Sequence, residues 1–412
     1  MVRVALLGAI LPLVLADSAV AQGITAGQTV VGRPRPEVDA LGIPAGGFML
    51  FPSFGLDEEY DDNIFATQNN TADDFITVLK PAAVVHSNWN NHALNFFGSA
   101  SIGRHISHSG EDYNDFLLGS DGRLDITHDS KATGGITYLD SHEDRSSPDD
   151  VAGKTPTSFS ILQPQIGFSQ RFGRFLFDVD GQLRQFNFSN VQSSTGATID
   201  NGDRDRDEWK GIFRAGYEFI PGYQAFIRTS VNEANYDRQF DRSGFQRDSS
   251  GYEIAAGTAV DITEIMTGNI FAGFRSQDFI DSRLPTISGV GFGGDLTWNV
   301  TRLTTIQANL SRDIEPSTLS GASGFFSTIG GISADHELLR DLLLGVNFQY
   351  INDDFQGISR NDDNFNEGAY VKYLMNRYLH VALRYNRYDR SSNVPGVDFG
   401  RDIVMISLVG QP

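Results

Sequence analysis

Asp203, Asp205 and Asp207 form the pattern in this chain that most resembles a metal site. Carboxylate oxygens are the ligands that Ca²⁺ and Mg²⁺ prefer in proteins. The run lacks the glycine and the distal glutamate of a calcium-binding loop, and Arg204 and Arg206 interrupt it. We therefore expect a solvated acidic loop, and we keep the three carboxylates only as a weak candidate site for a divalent cation.

The other motifs with a chemical meaning lack the structural context that they need. Residues 289–294 have the glycine spacing of a dinucleotide-binding turn, but an alternating strand follows where that motif requires a helix. His105 and His108 are three residues apart, which places them on opposite faces of a strand, so they are poor co-ligands for a metal. Ser107 is adjacent to His108 in sequence only, and no orienting partner is evident. The sequence predicts no catalytic residue, no cofactor and no enzyme activity.

Apolar and polar residues alternate almost without interruption over residues 48–409. Within residues 174–185, for example, Asp178 lies between Phe177 and Val179. Because strand side chains point alternately to opposite faces, each segment has one apolar and one polar face. The strand length, the charges on the second face and the repetition favour a barrel with lipid outside and water inside. A soluble β-sandwich is the alternative.

The alternation and the turn residues predict an all-β chain with about 18 strands, within a range of about 16–20. Short turns and longer polar loops alternate along the chain, which is typical of a transmembrane antiparallel β-barrel with periplasmic turns and extracellular loops. A closed barrel leaves no strand edge unpaired in lipid. The predicted strands are 46–60, 73–88, 92–107, 114–127, 131–141, 158–171, 174–188, 207–219, 223–236, 250–262, 266–279, 289–299, 303–314, 324–337, 341–352, 364–374, 378–389 and 399–409.

The beginning of the chain has the features of a secretory signal peptide. Arg3 precedes a short apolar stretch, and a small-x-small pattern ends at Ala21, so we expect Gln22 to be the first mature residue. The apolar stretch is too short to span a bilayer comfortably. We expect a signal peptide over 1–21, an irregular periplasmic segment over 22–45, either tucked into the lumen or disordered, and the barrel over 46–412.

Composition excludes several classes of protein. The formal net charge of -20 makes nucleic acid an improbable partner, since nucleic-acid binding needs a basic surface. The mean hydropathy of -0.24 is too polar for a helical membrane protein. No cysteine is present, so an exported form would be stabilised by sheet closure and packing without disulfides.

The polar face of the predicted strands supplies the candidate functional residues. It carries charges of both signs, which predicts either a charged pore wall that selects solutes or charges that neutralise one another in a solvated lumen. We leave these two alternatives open. The pore-lining candidates are Asp121, Arg123, Asp125, Asp178, Asp180, Arg184, Lys210, Arg214, Glu218, Arg228, Arg275, Lys372 and Arg384.

Arg33-Pro-Arg-Pro-Glu37, Phe51-Pro-Ser53 and the stretch 60–67 resemble the opening of a known family of proteobacterial outer-membrane proteins, "Putative beta-barrel porin 2". Further matches are Asp121 to Asp125, His142 to Asp150, Gly216-Tyr217, Pro221 to Tyr223, Ser243-Gly244 and Asp335 to Leu338. The resemblance covers nearly the whole mature chain. It implies an outer-membrane barrel described as a porin, and it carries over no catalytic residue.

The chain departs from many outer-membrane barrels in one respect. Those barrels finish on an aromatic residue that helps the insertion machinery to recognise the last strand, whereas this chain ends at Pro412. The last predicted strand is nevertheless apolar on one face.

The leading hypothesis for function is a passive pore for small hydrophilic solutes in the outer membrane of a Gram-negative bacterium. A component of exopolysaccharide or capsule export, or a structural barrel, is the alternative, because some members of the family are thought to lie near such genes. A third and weaker hypothesis is an outer-membrane hydrolase. We expect contacts with outer-membrane lipid and lipopolysaccharide and with the barrel-assembly machinery during biogenesis. Homo-oligomerisation stays open by analogy with porins.

Overall fold

The alternating segments form long antiparallel strands in the structure, a computed structural model that describes residues 28–262 and 265–412. The expected signal peptide 1–21, its cleavage site between Ala21 and Gln22, and residues 22–27 lie outside the described residues. So do Thr263 and Glu264 of one predicted turn.

Eighteen long strands and three short ones make up the described fold. The long strands have 12 to 16 residues, which at a tilt of roughly 40° is enough to cross a membrane. In chain order the strands are β1 (Ile43–Ala45), β2 (Phe48–Asp61), β3 (Asp74–Ser87), β4 (Ala93–His105), β5 (Tyr113–Thr127), β6 (Ser130–His142), β7 (Ser158–Phe172), β8 (Phe175–Phe188), β9 (Val191–Gln192), β10 (Thr198–Ile199), β11 (Arg206–Ile220), β12 (Tyr223–Tyr236), β13 (Ser249–Ile262), β14 (Met266–Phe279), β15 (Ile287–Thr301), β16 (Thr304–Pro316), β17 (Gly324–Leu339), β18 (Leu342–Gln356), β19 (Asn361–Asn376), β20 (Leu379–Ser392) and β21 (Phe399–Gly410).

Antiparallel pairing closes the long strands into a barrel. Each long strand pairs with the next one along the chain, and β21 pairs with β2 to complete the ring. The strands β9 and β10 form a separate hairpin inside the loop that joins β8 to β11, while β1 pairs with the beginning of β2. The predicted count of eighteen strands is confirmed, and all predicted boundaries fall within about four residues of the observed ones.

The two ends of the barrel differ in their connections. Most turns at one end contain two residues, as at Gly173, whose φ of 59° is in the left-handed region that glycine tolerates. The longest loops at the other end are 143–157 and 189–205. The loop 357–360 is shorter than predicted, because β18 and β19 extend beyond the predicted ends. The predicted alternation of short turns and longer loops is confirmed.

Large apolar side chains cover the outside of the barrel. Leu118 and Leu124 on β5, Ile227 on β12 and Ile254 on β13 are all more than half exposed. In water such a surface would be a strong aggregation hazard, whereas in hydrocarbon it is the surface that the membrane solvates. Among the described residues, no helix is long and apolar enough to cross a membrane.

Replacing Ile254 by Arg should destabilise the barrel by about 2–4 kcal/mol, the cost of a cation near the bilayer midplane. Ile254 lies near the middle of β13 and is 61% exposed. The measurement is the urea midpoint of folding into lipid vesicles. Ile106, which is 73% exposed but lies in the loop 106–112, provides the matched control. Equal losses in I254R and I106R would contradict the assignment of the outer face.

Candidate functional site

The lumen wall contains all thirteen pore-lining candidates. Each one occupies a strand position that alternates with the exposed apolar residues of the outer face, as Asp121 and Arg123 do between Leu118 and Leu124 on β5. Since the barrel is closed, these side chains point inward. The candidates therefore share one surface, although they do not form a single cluster.

A network of ion pairs on this wall links four strands, β12, β13, β14 and β16. Glu253 on β13 lies directly opposite Arg275 on β14 in the register and is ion-paired with it. The guanidinium of Arg228 on β12 donates to the other oxygen of Glu253 at 2.6 Å. Arg275 also pairs with Asp313 on β16. Two carboxylates therefore hold two guanidinium groups in fixed positions on the lumen surface.

The same wall carries two further cations. Lys210 on β11 has no carboxylate within 4.0 Å among the described residues. Arg214 donates to Gln224 at 2.7 Å and lies 3.9 Å from the centre of the Phe226 ring. Neither cation is neutralised by an ion pair, so both charges face the lumen.

Negative charge predominates on the wall formed by β2–β5. Its inward positions carry seven carboxylates and two cations, whereas those of β11–β14 carry five cations and four carboxylates. The two walls lie on different sides of the ring, so the lumen has a transverse charge asymmetry. The first set is Asp57, Glu59, Asp61, Asp74, Asp115, Asp121 and Asp125 with Lys80 and Arg123; the second is Arg206, Lys210, Arg214, Arg228 and Arg275 with Glu208, Glu218, Glu253 and Asp261.

Replacing Arg275 by Gln should make the pore more selective for cations, because Asp313 loses its partner and the lumen gains net negative charge. For a charge about 8 Å from a passing ion, we expect a roughly two- to tenfold change in the ratio of cation to anion permeability. The measurement is the reversal potential in a salt gradient. Glu253→Gln should shift it in the opposite direction. Shifts of the same sign in the two variants would contradict this account.

The loop 143–157 crosses the lumen at the end with the longer loops. It begins after β6, yet the Asp149 carboxylate accepts hydrogen bonds from Ser317 and Thr318 in the loop that joins β16 to β17. Six strands separate these two sites around one side of the ring and eight around the other. The loop therefore bridges opposite walls and narrows the opening.

Ion pairs fix this bridging loop along its length. The carboxylate of Glu143 receives both terminal nitrogens of Arg204 at 2.7 and 2.9 Å, and both side chains are almost fully buried. Asp144 pairs with Arg401 on β21 at 3.1 Å. Arg145 makes a two-point contact with Glu111 at 2.7 and 2.8 Å. The bridge is held by charge-assisted bonds to β21 and to two neighbouring loops, 189–205 and 106–112.

The charges within the bridging loop respond differently to pH. Burial raises the pKa of Asp150 to about 6, although Arg145 opposes the shift. For Asp144, burial alone would raise the pKa, but Arg401 holds it below its usual range. An acid with a raised pKa stabilises the fold below its unfolded pKa, and that contribution is lost as pH rises through the folded value. The ordered bridge should therefore weaken between about pH 4 and about pH 6 as pH increases.

Acidification from pH 7 to pH 5 should lower the single-channel current, because protonated Asp150 stabilises the bridge that narrows the lumen. Asp150→Asn removes this titration and should show a smaller change over the same interval. The measurement is the current at fixed voltage in symmetric salt. A pH profile that is identical in the two proteins would contradict the role of Asp150.

The segment 28–42 lies inside the lumen at the end with the short turns. Val30 and Val38 are buried against Leu343 on β18 and Leu374 on β19. The Val30 amide donates to the hydroxyl of Thr305 on β16 at 2.8 Å. These contacts place the segment against the inner wall, on strands that together form about a quarter of the ring.

Polar contacts continue the attachment of this segment. Arg35 is 3% exposed, and its guanidinium bonds both Glu337 on β17 and the carbonyl of Val30 at 2.7 Å. The carbonyl of Val38 lies 3.3 Å from Nε2 of His380 on β20. The segment is thus folded against the wall and reduces the cross-section of this opening.

The three carboxylates of the candidate cation site are not brought together. Asp203 is bound by Arg242 through two nitrogens at 2.9 Å. Asp205 accepts the backbone amide of Phe188 at 2.7 Å. Asp207 shares the outward face of β11 with the exposed Trp209. Among the described residues, no group of three potential metal ligands converges.

Glu208, Glu253 and Asp313 were missing from the candidates. Glu253 could have been found, since it alternates with Tyr252 and Ile254 on a clear strand. The bridging loop and the segment 28–42 lie in the lumen but have no periodic signal in the sequence. Their positions depend on partners more than 150 residues away, such as Thr318 for Asp149 and Glu337 for Arg35.

The chain is similar to known proteins in its sequence and in its fold. The family model described as "Putative beta-barrel porin 2" matches residues 35–412. Among solved structures, OpdO of Pseudomonas aeruginosa is similar at 11% identity and a TM-score of 0.44, over 88% of this chain and 97% of that one. OccK11 (OpdR) of the same organism is similar at 9% identity and a TM-score of 0.44, over 90% of this chain and 100% of that one. No curated protein matches the chain.

Proposed function

The chain belongs to the "Putative beta-barrel porin 2" family of outer-membrane pore-forming barrels, and from this premise we propose that its lumen passes small hydrophilic solutes by passive diffusion. The short turns then face the periplasm and the longer loops face the outside. The proposal assigns the protein a transport role without a catalytic step.

The observation that carries this proposal is the charge on the inner wall. In a barrel of eighteen strands, side chains alone do not fill the interior. Lys210 and Arg214 face the lumen without a carboxylate partner, and charged groups in such positions need water. A hydrated interior continuous with both ends is what solute diffusion requires.

The elements inside the lumen set the size of the solute. The bridging loop narrows the extracellular end, and the segment 28–42 narrows the periplasmic end. Two constrictions in series favour small solutes over bulky polymers. Nothing in the described residues favours polysaccharide export over the diffusion of small solutes.

Planar-bilayer recordings test the proposal directly. The purified mature protein should give stepwise current increases in simple salt, and liposomes that contain it should swell in small sugars but not in oligosaccharides above a size limit. The matched control is protein denatured by heat before reconstitution. A bilayer that stays sealed at every voltage, together with liposomes that do not swell, would contradict a pore and favour a structural barrel.

A further inference from the structure

Cationic side chains are in excess at the periplasmic opening, on a chain whose net charge is -20. Glu337 is shared by two guanidinium groups, those of Arg35 at 2.7 Å and Arg33 at 4.0 Å. Lys372 and Arg384 add two positive charges from the adjoining wall. Glu337, Asp335 and Asp39 are the carboxylates near these four cations, so positive charge is in excess by one.

The two wall cations have no ion-pair partner among the described residues. Neither Lys372 nor Arg384 has a carboxylate within 4.0 Å, and the guanidinium of Arg384 lies 5.8 Å from the centre of the Tyr370 ring. The Tyr370 hydroxyl is committed to Asp335 at 2.6 Å.

The strands and the segment 28–42 bring these cations to one place. Arg384 is directly opposite Tyr370 in the register of β19 and β20, and Lys372 is the next inward residue after Tyr370. Glu337, Leu343 and Lys372 lie in one row of the register across β17, β18 and β19, and Arg35 is bound to Glu337, so Arg35 lies on the same part of the wall as Lys372. The carboxylate of Asp39 accepts a hydrogen bond from the Arg35 amide.

Several donor atoms in this group are buried and unsatisfied. The Nε atoms of Arg33, Arg35 and Arg384 have no hydrogen-bond partner among the described residues. Like charges that are held together with unpaired donors are unfavourable unless an anion or water occupies the space between them. Guanidinium groups in particular match carboxylate and phosphate oxygens in a two-point geometry.

We propose that Lys372, Arg384 and Arg35 form a binding subsite for a small anion with a carboxylate or phosphate group. The wall supplies two of the cations and the segment 28–42 supplies the third, so the folded segment completes the subsite. The inference rests on the proposed pore and narrows its solutes to a class that includes organic acids and phosphate esters.

Ion-current block by succinate and by inorganic phosphate tests the subsite in the full mature protein. Each anion is added to one side and then to the other in potassium chloride. We expect a saturable block that is stronger from the side nearer the short turns. In the K372Q/R384Q double variant the half-blocking concentration should rise about tenfold or more, the effect of losing charge-assisted contacts.

The control removes the same charge elsewhere at the same end of the barrel. Arg174 and Arg302 are exposed residues of the short turns, and R174Q/R302Q should keep the wild-type block. Heat-modifiable mobility on gels verifies that both double variants are folded. Equal block in all three proteins, or no block in a conducting wild-type protein by either anion, would overturn the subsite.

Equilibrium binding separates failure of the subsite from failure of the pore. Succinate binding to the detergent-solubilised protein is measured by calorimetry, which needs no current. If the wild-type protein binds succinate more strongly than K372Q/R384Q but does not conduct, the subsite is supported and the pore is contradicted. If the protein conducts but its succinate binding does not depend on Lys372 and Arg384, the pore is supported and the subsite is contradicted.

Discussion

Replacing Val38 by Asp is expected to detach the segment 28–42 from the lumen wall and to increase the single-channel conductance. Val38 is 7% exposed and packs with Val30 against Leu343 and Leu374. Burial of each valine contributes about 1.5–3 kcal/mol. An aspartate there loses that contribution and adds the cost of a desolvated carboxylate, which is several kcal/mol more. The attached state should therefore become the minor one.

The matched control for this prediction lies in the same segment. Leu41 is 65% exposed, so Leu41→Asp adds the same charge without breaking a buried contact. L41D should keep the wild-type conductance and the wild-type resistance of residues 28–42 to protease, whereas V38D should lose that resistance. A V38D channel with unchanged current and unchanged cleavage would show that the segment does not restrict the opening.

Replacing Glu143 by Ala is expected to release the bridging loop at the extracellular end. The change leaves the Arg204 guanidinium, which is 2% exposed, without its carboxylate partner. Removal of one member of a buried pair typically costs about 3–5 kcal/mol, because the other charge remains buried and uncompensated. We expect lower thermal stability and larger, noisier currents.

An exposed ion pair supplies the comparison for Glu143. Asp200 and Arg238 also pair across two loops, but both side chains are 49% exposed. Exposed pairs contribute little to stability, so Asp200→Asn should leave the melting temperature and the current unchanged. If E143A behaved like D200N in both measurements, the loop 143–157 would not be the element that narrows the lumen.

The barrel could be predicted from the sequence because its determinants are local. Alternation with a period of two identifies a strand from its own residues, as in 174–188, and turn residues such as Gly173 mark its end. Once strands pair with their neighbours in sequence, closure fixes which face is inward. Periodicity alone therefore predicts that the side chains of Arg228 and Arg275 point inward.

The elements inside the lumen could not be predicted in the same way. Asp149 bonds Thr318, and Arg35 bonds Glu337, across 169 and 302 residues of sequence. Such contacts form only after the barrel has closed, and the irregular loops that make them have no period to detect. The spacing of Asp203 and Asp205 was visible, but their partners Arg242 and Phe188 were not.

The pairing between β2 and β21 determines where the barrel begins to open when it unfolds. It contains eight residue pairs, fewer than the fourteen that join β2 to β3, because β21 ends at Gly410 while β2 begins at Phe48. At the beginning of β2, which β21 does not reach, the short strand β1 pairs with Phe48 and Leu50. Mechanical or thermal unzipping should start at this junction of the two chain termini, with the Ile43–Ala45 strand acting as a clasp that delays it.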